Sequence, residues 1–241
     1  MPPAVFDVWV YLSASPLLWL TATLIAYIGA YTVYQKARFN PLLNPVALAV
    51  IVLGLLLAVT DTDYRSYFDG AQFVHFLLGP ATVALAVPLY THFRKVKRAA
   101  LPMLAALIAG SLTAMVSAVV IALALGGSPQ TVASLVPKSV TTPVAMGVAE
   151  QIGGLPSLTA VMVILTGIVG AMSAGPLFNL MGIKDWRARG FAIGIASHGI
   201  GTARAFQVSE VAGTFAGIAM GLNALLTAIL APLVLGALGL L

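Results

Sequence analysis

The chain contains no cysteine and only three histidines. The absence of cysteine excludes disulfide bonds and thiolate metal sites. The histidines, His75, His92 and His198, are far apart along the sequence and form no pair at helical spacing. We therefore expect no metal site, and no motif in the sequence predicts a cofactor.

Charged residues are equally scarce. They make up 8% of the 241 residues, whereas hydrophobic residues make up 60%, and the mean hydropathy is +1.03. Soluble domains do not have this composition, which is typical of membrane proteins that cross the bilayer several times. We predict an all-α polytopic membrane protein in which residues 1–241 form a single transmembrane domain.

The number of crossings follows from the apolar segments. Because a bilayer core of about 30 Å requires roughly 20 helical residues, these segments leave room for seven or eight crossings. The segments lie near residues 17–34, 46–60, 71–91, 101–125, 132–150, 155–182, 190–208 and 211–240.

Most basic residues are grouped in short clusters between apolar segments. Such clusters are typical of cytoplasmic loops, so the net charge of +5 indicates a lipid bilayer as the environment and not a nucleic acid as the partner. The clusters are Lys36 and Arg38; Arg94, Lys95, Lys97 and Arg98; and Lys184, Arg187 and Arg189.

The basic loop 184–189 constrains the topology. With the N-terminus outside, the other loops lie on the side of the membrane that their charges predict. Full crossings by 132–150 and 155–182 would, however, put the basic loop 184–189 outside. We therefore expect residues 135–145 to be re-entrant or unwound, which is tolerated where backbone lines a cavity within the protein. The alternative is that loop 184–189 simply violates the positive-inside rule.

A weak internal repeat also runs through the sequence. It predicts two related halves, about 12–125 and 130–241, of the kind found as inverted repeats in secondary transporters with broken helices. Gly70, Gly79 and Thr82 have the same spacing as Gly190, Gly199 and Thr202.

Lys138 is the most informative single residue. Between Arg98 and Lys184, only Lys138 and Glu150 are charged. A lysine near the bilayer centre costs about 2.5–3.5 kcal/mol on insertion scales, so it is expected to face a polar cavity. Lys138 lies in the polar segment Pro137-Lys-Ser-Val-Thr-Thr-Pro143, the first of two breaks in the apolar pattern.

The first break has the features of an anion site. Pro143 suits the first turn of a helix, and Thr141 or Thr142 would cap that helix with a hydroxyl. The helix would direct free N–H groups towards the break, where Lys138 and Ser139 would join them in binding a carboxylate. The alternative is an ordinary proline kink, with Lys138 extending to the membrane interface.

The second break, Ser197-His-Gly-Ile-Gly-Thr-Ala-Arg204, repeats this pattern. Gly199 and Gly201 permit unusual dihedral angles and a close approach of the backbone. Thr202 would cap a second half-helix, and the guanidinium of Arg204 would bind a carboxylate through two hydrogen bonds. The alternative places Arg204 at the membrane surface.

Two residues are candidates for proton coupling. His198 is the side chain in the second break whose charge can change near neutral pH. Glu150 would balance the positive charges while no anion is bound. The alternative for His198 is a packed structural histidine, bonded to a backbone carbonyl.

Gly213, Gly217 and Gly221 form a small-residue stripe at helical spacing. Such stripes let helices approach closely. We expect packing within the chain, with the face of a homo-oligomer as the alternative.

An enzymatic function is not expected. Lys138–Ser139 and Ser197–His198 are adjacent in sequence, and adjacent residues rarely act on one atom. No Gly-x-Ser-x-Gly motif is present either.

Four strings together resemble the LrgB/CidB family, which includes a plastid glycolate/glycerate translocator. The resemblance covers about residues 40–240, and its motifs include Lys138, Ser139, Thr141, Thr142, His198, Thr202 and Arg204. The strings are Leu78-Gly-Pro-Ala-Thr-Val-Ala-Leu-Ala-Val-Pro88, Pro137-Lys-Ser-Val-Thr-Thr-Pro-Val-Ala-Met146, Gly153-Gly-Leu-Pro-Ser-Leu-Thr-Ala160 and Ala196-Ser-His-Gly-Ile-Gly-Thr-Ala-Arg-Ala205.

The resemblance implies a protein of the bacterial inner membrane, often with a small LrgA/CidA-like membrane protein as partner. It also implies one of two functions. The prediction we prefer is a secondary transporter of small monocarboxylates such as glycolate, glycerate or pyruvate, with proton coupling left open. The alternative is a holin/antiholin-like modulator of murein hydrolase activity and autolysis.

Overall fold

A computed structural model of the chain describes residues 15–40, 43–77, 80, 90, 97 and 100–240. These residues form nine helices and no strand, which confirms the all-α prediction for the described part of the chain. The helices are α1 (Pro16–Lys36), α2 (Pro45–Thr60), α3 (Tyr64–Phe76), α4 (Ala100–Ala124), α5 (Pro129–Leu135), α6 (Thr142–Gln151), α7 (Pro156–Leu180), α8 (Trp186–Val208) and α9 (Glu210–Ala237).

Four of the described helices, α1, α4, α7 and α9, are long and apolar enough to cross a membrane. The total of seven or eight crossings stays a prediction. So does the internal repeat, because Gly79 and Thr82 lie outside the described residues. His92 and most of the basic cluster at 94–98 also lie outside them.

The chain divides into two compact units, Met1–Ala84 and Leu85–Leu241. In the first unit, α1 packs against α2 and α3. The edge of the Trp19 ring meets Tyr67 of α3, at 6.0 Å between centroids. The helices can pack closely here because Gly70 has no side chain. A Cβ atom at this position would overlap the backbone of α1.

In the second unit, α8 and α9 form the closest helix pair. A Cβ atom at Gly190 or Gly194 of α8 would overlap the carbonyl oxygen of Ala212 or Ala216 of α9. Small residues allow this separation, as is common between helices in membranes. Gly213 of the predicted stripe likewise packs within the chain, against the ring of Phe206.

The segment from α5 to α6 does not continue as one helix. With 7 and 10 residues, α5 and α6 are each too short to cross a bilayer, and residues 136–141 between them are non-helical. The Leu155 N–H, just before α7, donates to Ser134 Oγ near the end of α5, at 2.7 Å. The chain thus returns to the end of α5 before α7 begins. Residues 135–145 are expected to be re-entrant or unwound; residues 136–141 are unwound, and re-entrance stays a prediction.

An apolar cluster holds the hairpin that is formed by α5, residues 136–141 and α6. The side chains of the cluster come from the hairpin itself and from α4 and α9, so the hairpin is packed within this unit. The cluster includes Met115, Val119, Val132, Val136, Val148, Ile152 and Leu235.

Candidate functional site

A pocket of about 560 Å³ lies beside the non-helical segment of the hairpin. Residues of α4, α7, α8 and the segment around Lys138 line it. The polar lining residues are Lys138, Ser139, Thr166 and Ser197, and the others are apolar. The pocket therefore joins part of the first break to the start of the second.

The polar groups of this pocket have unused hydrogen-bonding capacity. Lys138 is half-buried, and within the described chain its ammonium group makes no ion pair or hydrogen bond. The hydroxyls of Ser139, Thr166 and Ser197 likewise form no hydrogen bond to any described residue. Every fully buried side-chain nitrogen or oxygen atom of the described residues has a hydrogen-bond partner, so these four unbonded groups are accessible from the pocket and can bind a polar ligand.

Three other residues of the second unit with buried hydroxyls are hydrogen-bonded. Ser111 donates to Asn223 Oδ1, Ser134 donates to a backbone carbonyl, and Thr159 donates to the Ser134 carbonyl at 2.9 Å. These three residues stabilise the fold, whereas the buried Thr214 and Thr227, like the pocket hydroxyls, make no side-chain hydrogen bond to a described residue.

A kink in α8 positions Ser197. The next residue, His198, has φ 40° and ψ −134° within the helix. A positive φ is uncommon for a residue other than glycine and persists only where surrounding contacts impose it. One such contact is the hydrogen bond between His198 Nε2 and the Val163 carbonyl of α7, at 2.8 Å.

Two glycines of α7 make room for the kink. A Cβ atom at Gly167 would lie 2.6 Å from His198 Cε1, and one at Gly170 would overlap Ser197 Oγ. Because these glycines have no side chain, Ser197 and His198 can pack directly against the backbone of α7.

The second break departs from its predicted details. The unusual dihedral angles occur at His198, and not at Gly199 or Gly201. The predicted capping by Thr202 is wrong, because its hydroxyl donates to the His198 carbonyl at 2.7 Å. That carbonyl lies at the kink, so Thr202 satisfies an acceptor there and does not cap a new helix.

The first break is closer to its prediction. Pro143 lies in the first turn of α6, as expected, and Thr141 is the N-cap residue with extended backbone. The predicted hydroxyl cap is wrong, because the Thr141 side chain makes no capping hydrogen bond. The N–H groups of Thr142 and Val144 donate to no described residue, as is usual in the first turn of a helix.

Of the eleven predicted site residues, only Lys138 and Ser139 line this pocket, and the other nine do not. Arg204 is half-buried and its Nη1 atom lies 3.4 Å from Gln207 Oε1. Glu150 is exposed near the end of α6. The His198 ring bonds to a backbone carbonyl, as in the structural alternative for this residue. The pocket thus brings together Lys138, Ser139 and Ser197, without Arg204.

The sequence reasoning missed Asn223. Its Nδ2 donates to the Ile195 carbonyl at 3.0 Å, and its Oδ1 accepts the hydroxyl of Ser111. In an uninterrupted helix the N–H of residue 199 would donate to the Ile195 carbonyl, and the kink at His198 lies between these two residues. A lone amide in the apolar sequence of α9 was the available signal, since polar residues inside such segments are costly.

The start of α8 carries the one ion pair among the described residues, between Asp185 and Arg187. Asp185 is the N-cap of α8 and accepts the Arg187 backbone N–H at 2.8 Å. Hydrogen bonds from Arg187 lower the pKa of Asp185 to about 2. This cap is therefore charged at any physiological pH, which favours a helix starting at Trp186.

Residues 23–237 match the LrgB-like family. The chain belongs to this family. YwbG of Bacillus subtilis, described as uncharacterised, is 42% identical over 219 residues, which cover 90% of this chain and 96% of YwbG. No solved structure gives a significant match.

Other LrgB-like relatives have functional names. A holin-like protein CidB of Staphylococcus epidermidis is 31% identical, over 93% of this chain and 97% of its own length. An antiholin-like protein LrgB of Bacillus cereus is 29% identical, over 91% of this chain and 95% of its own length. These names refer to holin-like and antiholin-like proteins, and they mention no carboxylate.

Proposed function

We propose that this LrgB-like protein binds a small monocarboxylate in the Lys138 pocket and carries it across the bacterial cytoplasmic membrane. The observation behind the proposal is the convergence of one ammonium group and three hydroxyls, none bonded to a described residue, on one pocket of about 560 Å³. Glycolate, glycerate and pyruvate are the acids that the resemblance predicts.

The chemistry of these groups favours an anion. A lysine in an apolar region is costly without a counter-charge, and a carboxylate would supply one. Hydrogen bonds between an ammonium group and a carboxylate are charge-assisted and stronger than those between neutral groups. The hydroxyls of Ser139 and Ser197 would then bind the remaining lone pairs of the carboxylate, or a hydroxyl or keto group next to it.

The backbone around the pocket supports the proposal. Secondary transporters bind their substrates where helices are broken, and the pocket lies between an unwound segment and a kinked helix. Proton coupling through His198 or Glu150, anion binding by Arg204 and a small LrgA/CidA-like partner stay predictions of this proposal.

Uptake into proteoliposomes tests the proposal. The purified protein is expected to take up labelled glycolate or pyruvate saturably, and the measurement is made with and without a pH gradient. Lys138→Gln should abolish uptake, because the cation that binds the carboxylate is lost. The matched control is Lys184→Gln, in an exposed loop, which should retain it. Normal uptake by Lys138→Gln would refute the proposed site.

A holin-like or antiholin-like role is the second candidate, and the names of the relatives favour it over carboxylate transport. Of the glycine stripe, Gly213 and Gly217 are buried within the chain, whereas Gly221 is exposed. Any oligomer face on this stripe would therefore be centred on Gly221. Unselective leakage of a dye from the same vesicles, unchanged by Lys138→Gln, would support a pore.

A further inference from the structure

The pocket at Lys138 is mostly apolar. Besides its four polar residues, it is lined by alanine, leucine, isoleucine, valine and methionine side chains and by Gly170. Ala114, Ala118 and Ala122 follow one another at four-residue spacing on α4, and so present one small-residue face to the pocket. A polar acid with two or three carbons would have few partners along this wall.

The volume of the pocket also fits a ligand larger than glycolate. Clefts of about 300–1,000 Å³ typically hold ligands far larger than glycolate, and this one has about 560 Å³. Resting on the proposed carboxylate binding, we infer that the preferred ligand is an amphipathic monocarboxylate, with its carboxylate at Lys138 and an apolar chain of about four to seven carbons along α4 and α7.

The strength of the chain-length effect follows from apolar burial. Each methylene group removed from water tightens binding by about three- to fourfold until the pocket is filled. The alanine face of α4 sets that limit, because larger residues there would occupy the space of the chain. Ala118 is the residue to change, since it is buried and lines the pocket.

Calorimetric titration of the full chain in detergent tests this inference. The ligands are the sodium salts of acetate, glycolate, butyrate, hexanoate, octanoate and dodecanoate, at a pH where all are ionised, with hexanamide as the neutral analogue of hexanoate. Affinity should rise about three- to fourfold per methylene up to hexanoate or octanoate. Hexanamide should bind at least tenfold more weakly than hexanoate, and Lys138→Gln should remove that difference.

Two substitutions on α4 form a matched pair. Ala118→Leu should weaken hexanoate binding about tenfold and leave acetate binding unchanged, because the added side chain occupies the space of the apolar chain. Ala106→Leu adds the same side chain at an exposed position outside the pocket, and it should retain the wild-type series.

The outcomes separate this inference from the proposed function. Lys138-dependent binding of acetate or glycolate as tight as that of hexanoate would overturn the inference alone. Absence of Lys138-dependent binding for every acid would overturn the proposed function. An affinity that still rises at dodecanoate, unaffected by Ala118→Leu, would indicate a lipid chain passing over the exposed residues Leu125 and Val169, and would also overturn the inference.

Discussion

His198 has a backbone conformation that costs about 1–3 kcal/mol for a residue other than glycine. Its ring bonds to the Val163 carbonyl of α7, and its own carbonyl accepts the hydroxyl of Thr202. Asn223 binds the Ile195 carbonyl just before the kink. The conformation of one residue thus depends on polar contacts from three helices, and it is this conformation that positions Ser197 at the pocket.

Substitution of Gly167 tests this arrangement. Gly167→Ala would put a methyl group 2.6 Å from His198 Cε1, so it should destabilise the protein by about 1–3 kcal/mol through overpacking. The control is Gly221→Ala, where nothing lies within 4 Å, and it should stabilise α9 by up to about 1 kcal/mol. Thermal unfolding in detergent measures both, and equal midpoints would contradict the packing described for His198.

At the scale of helices, the hairpin of α5 and α6 depends on a few polar contacts. Ser134 accepts the Leu155 N–H through its hydroxyl and the Thr159 hydroxyl through its carbonyl. These contacts join the entry of the hairpin to the start of α7. Since they hold both ends of the segment that carries Lys138, they also determine where that ammonium group lies.

Ser134→Ala should loosen this junction. The change leaves the Leu155 N–H without its acceptor, at a cost of about 1–3 kcal/mol. Hydrogen exchange should accelerate over residues 129–160 while the rest of α7 keeps its protection. Ser173→Ala, which removes an exposed hydroxyl bonded within α7 itself, is the control and should change nothing. Hydrogen exchange that is unchanged from the wild type in both variants would show that apolar packing alone holds the hairpin.

At the scale of the molecule, the path of the hairpin leads to a prediction of the membrane topology. Because the chain returns to Ser134 before α7 starts, we expect α5 and the first turn of α7 to lie on the same side of the membrane. The basic loop before α8 would then lie on the opposite side, where the positive-inside rule predicts a cytoplasmic loop.

Single cysteines test the topology without interference, because the natural chain has none. Gln130→Cys and Ser157→Cys, both exposed, should react with a membrane-impermeant maleimide from the outside of intact cells. Lys184→Cys should react only after permeabilisation. Labelling of Gln130→Cys and Ser157→Cys from opposite sides would mean that the hairpin crosses the bilayer.

Composition and local pattern were sufficient to predict the class of protein and the position of both breaks. Helical apolar segments and the cost of an intramembrane lysine are local properties, so Lys138 and Pro143 could be singled out from hydropathy alone. Which polar groups meet depends instead on how the helices pack. Ser111 and Asn223 are 112 residues apart, and His198 and Val163 are 35 apart. No local pattern encodes such contacts, which arise when helices pack, and for the same reason the pocket contains Ser197 and Thr166 but not Arg204.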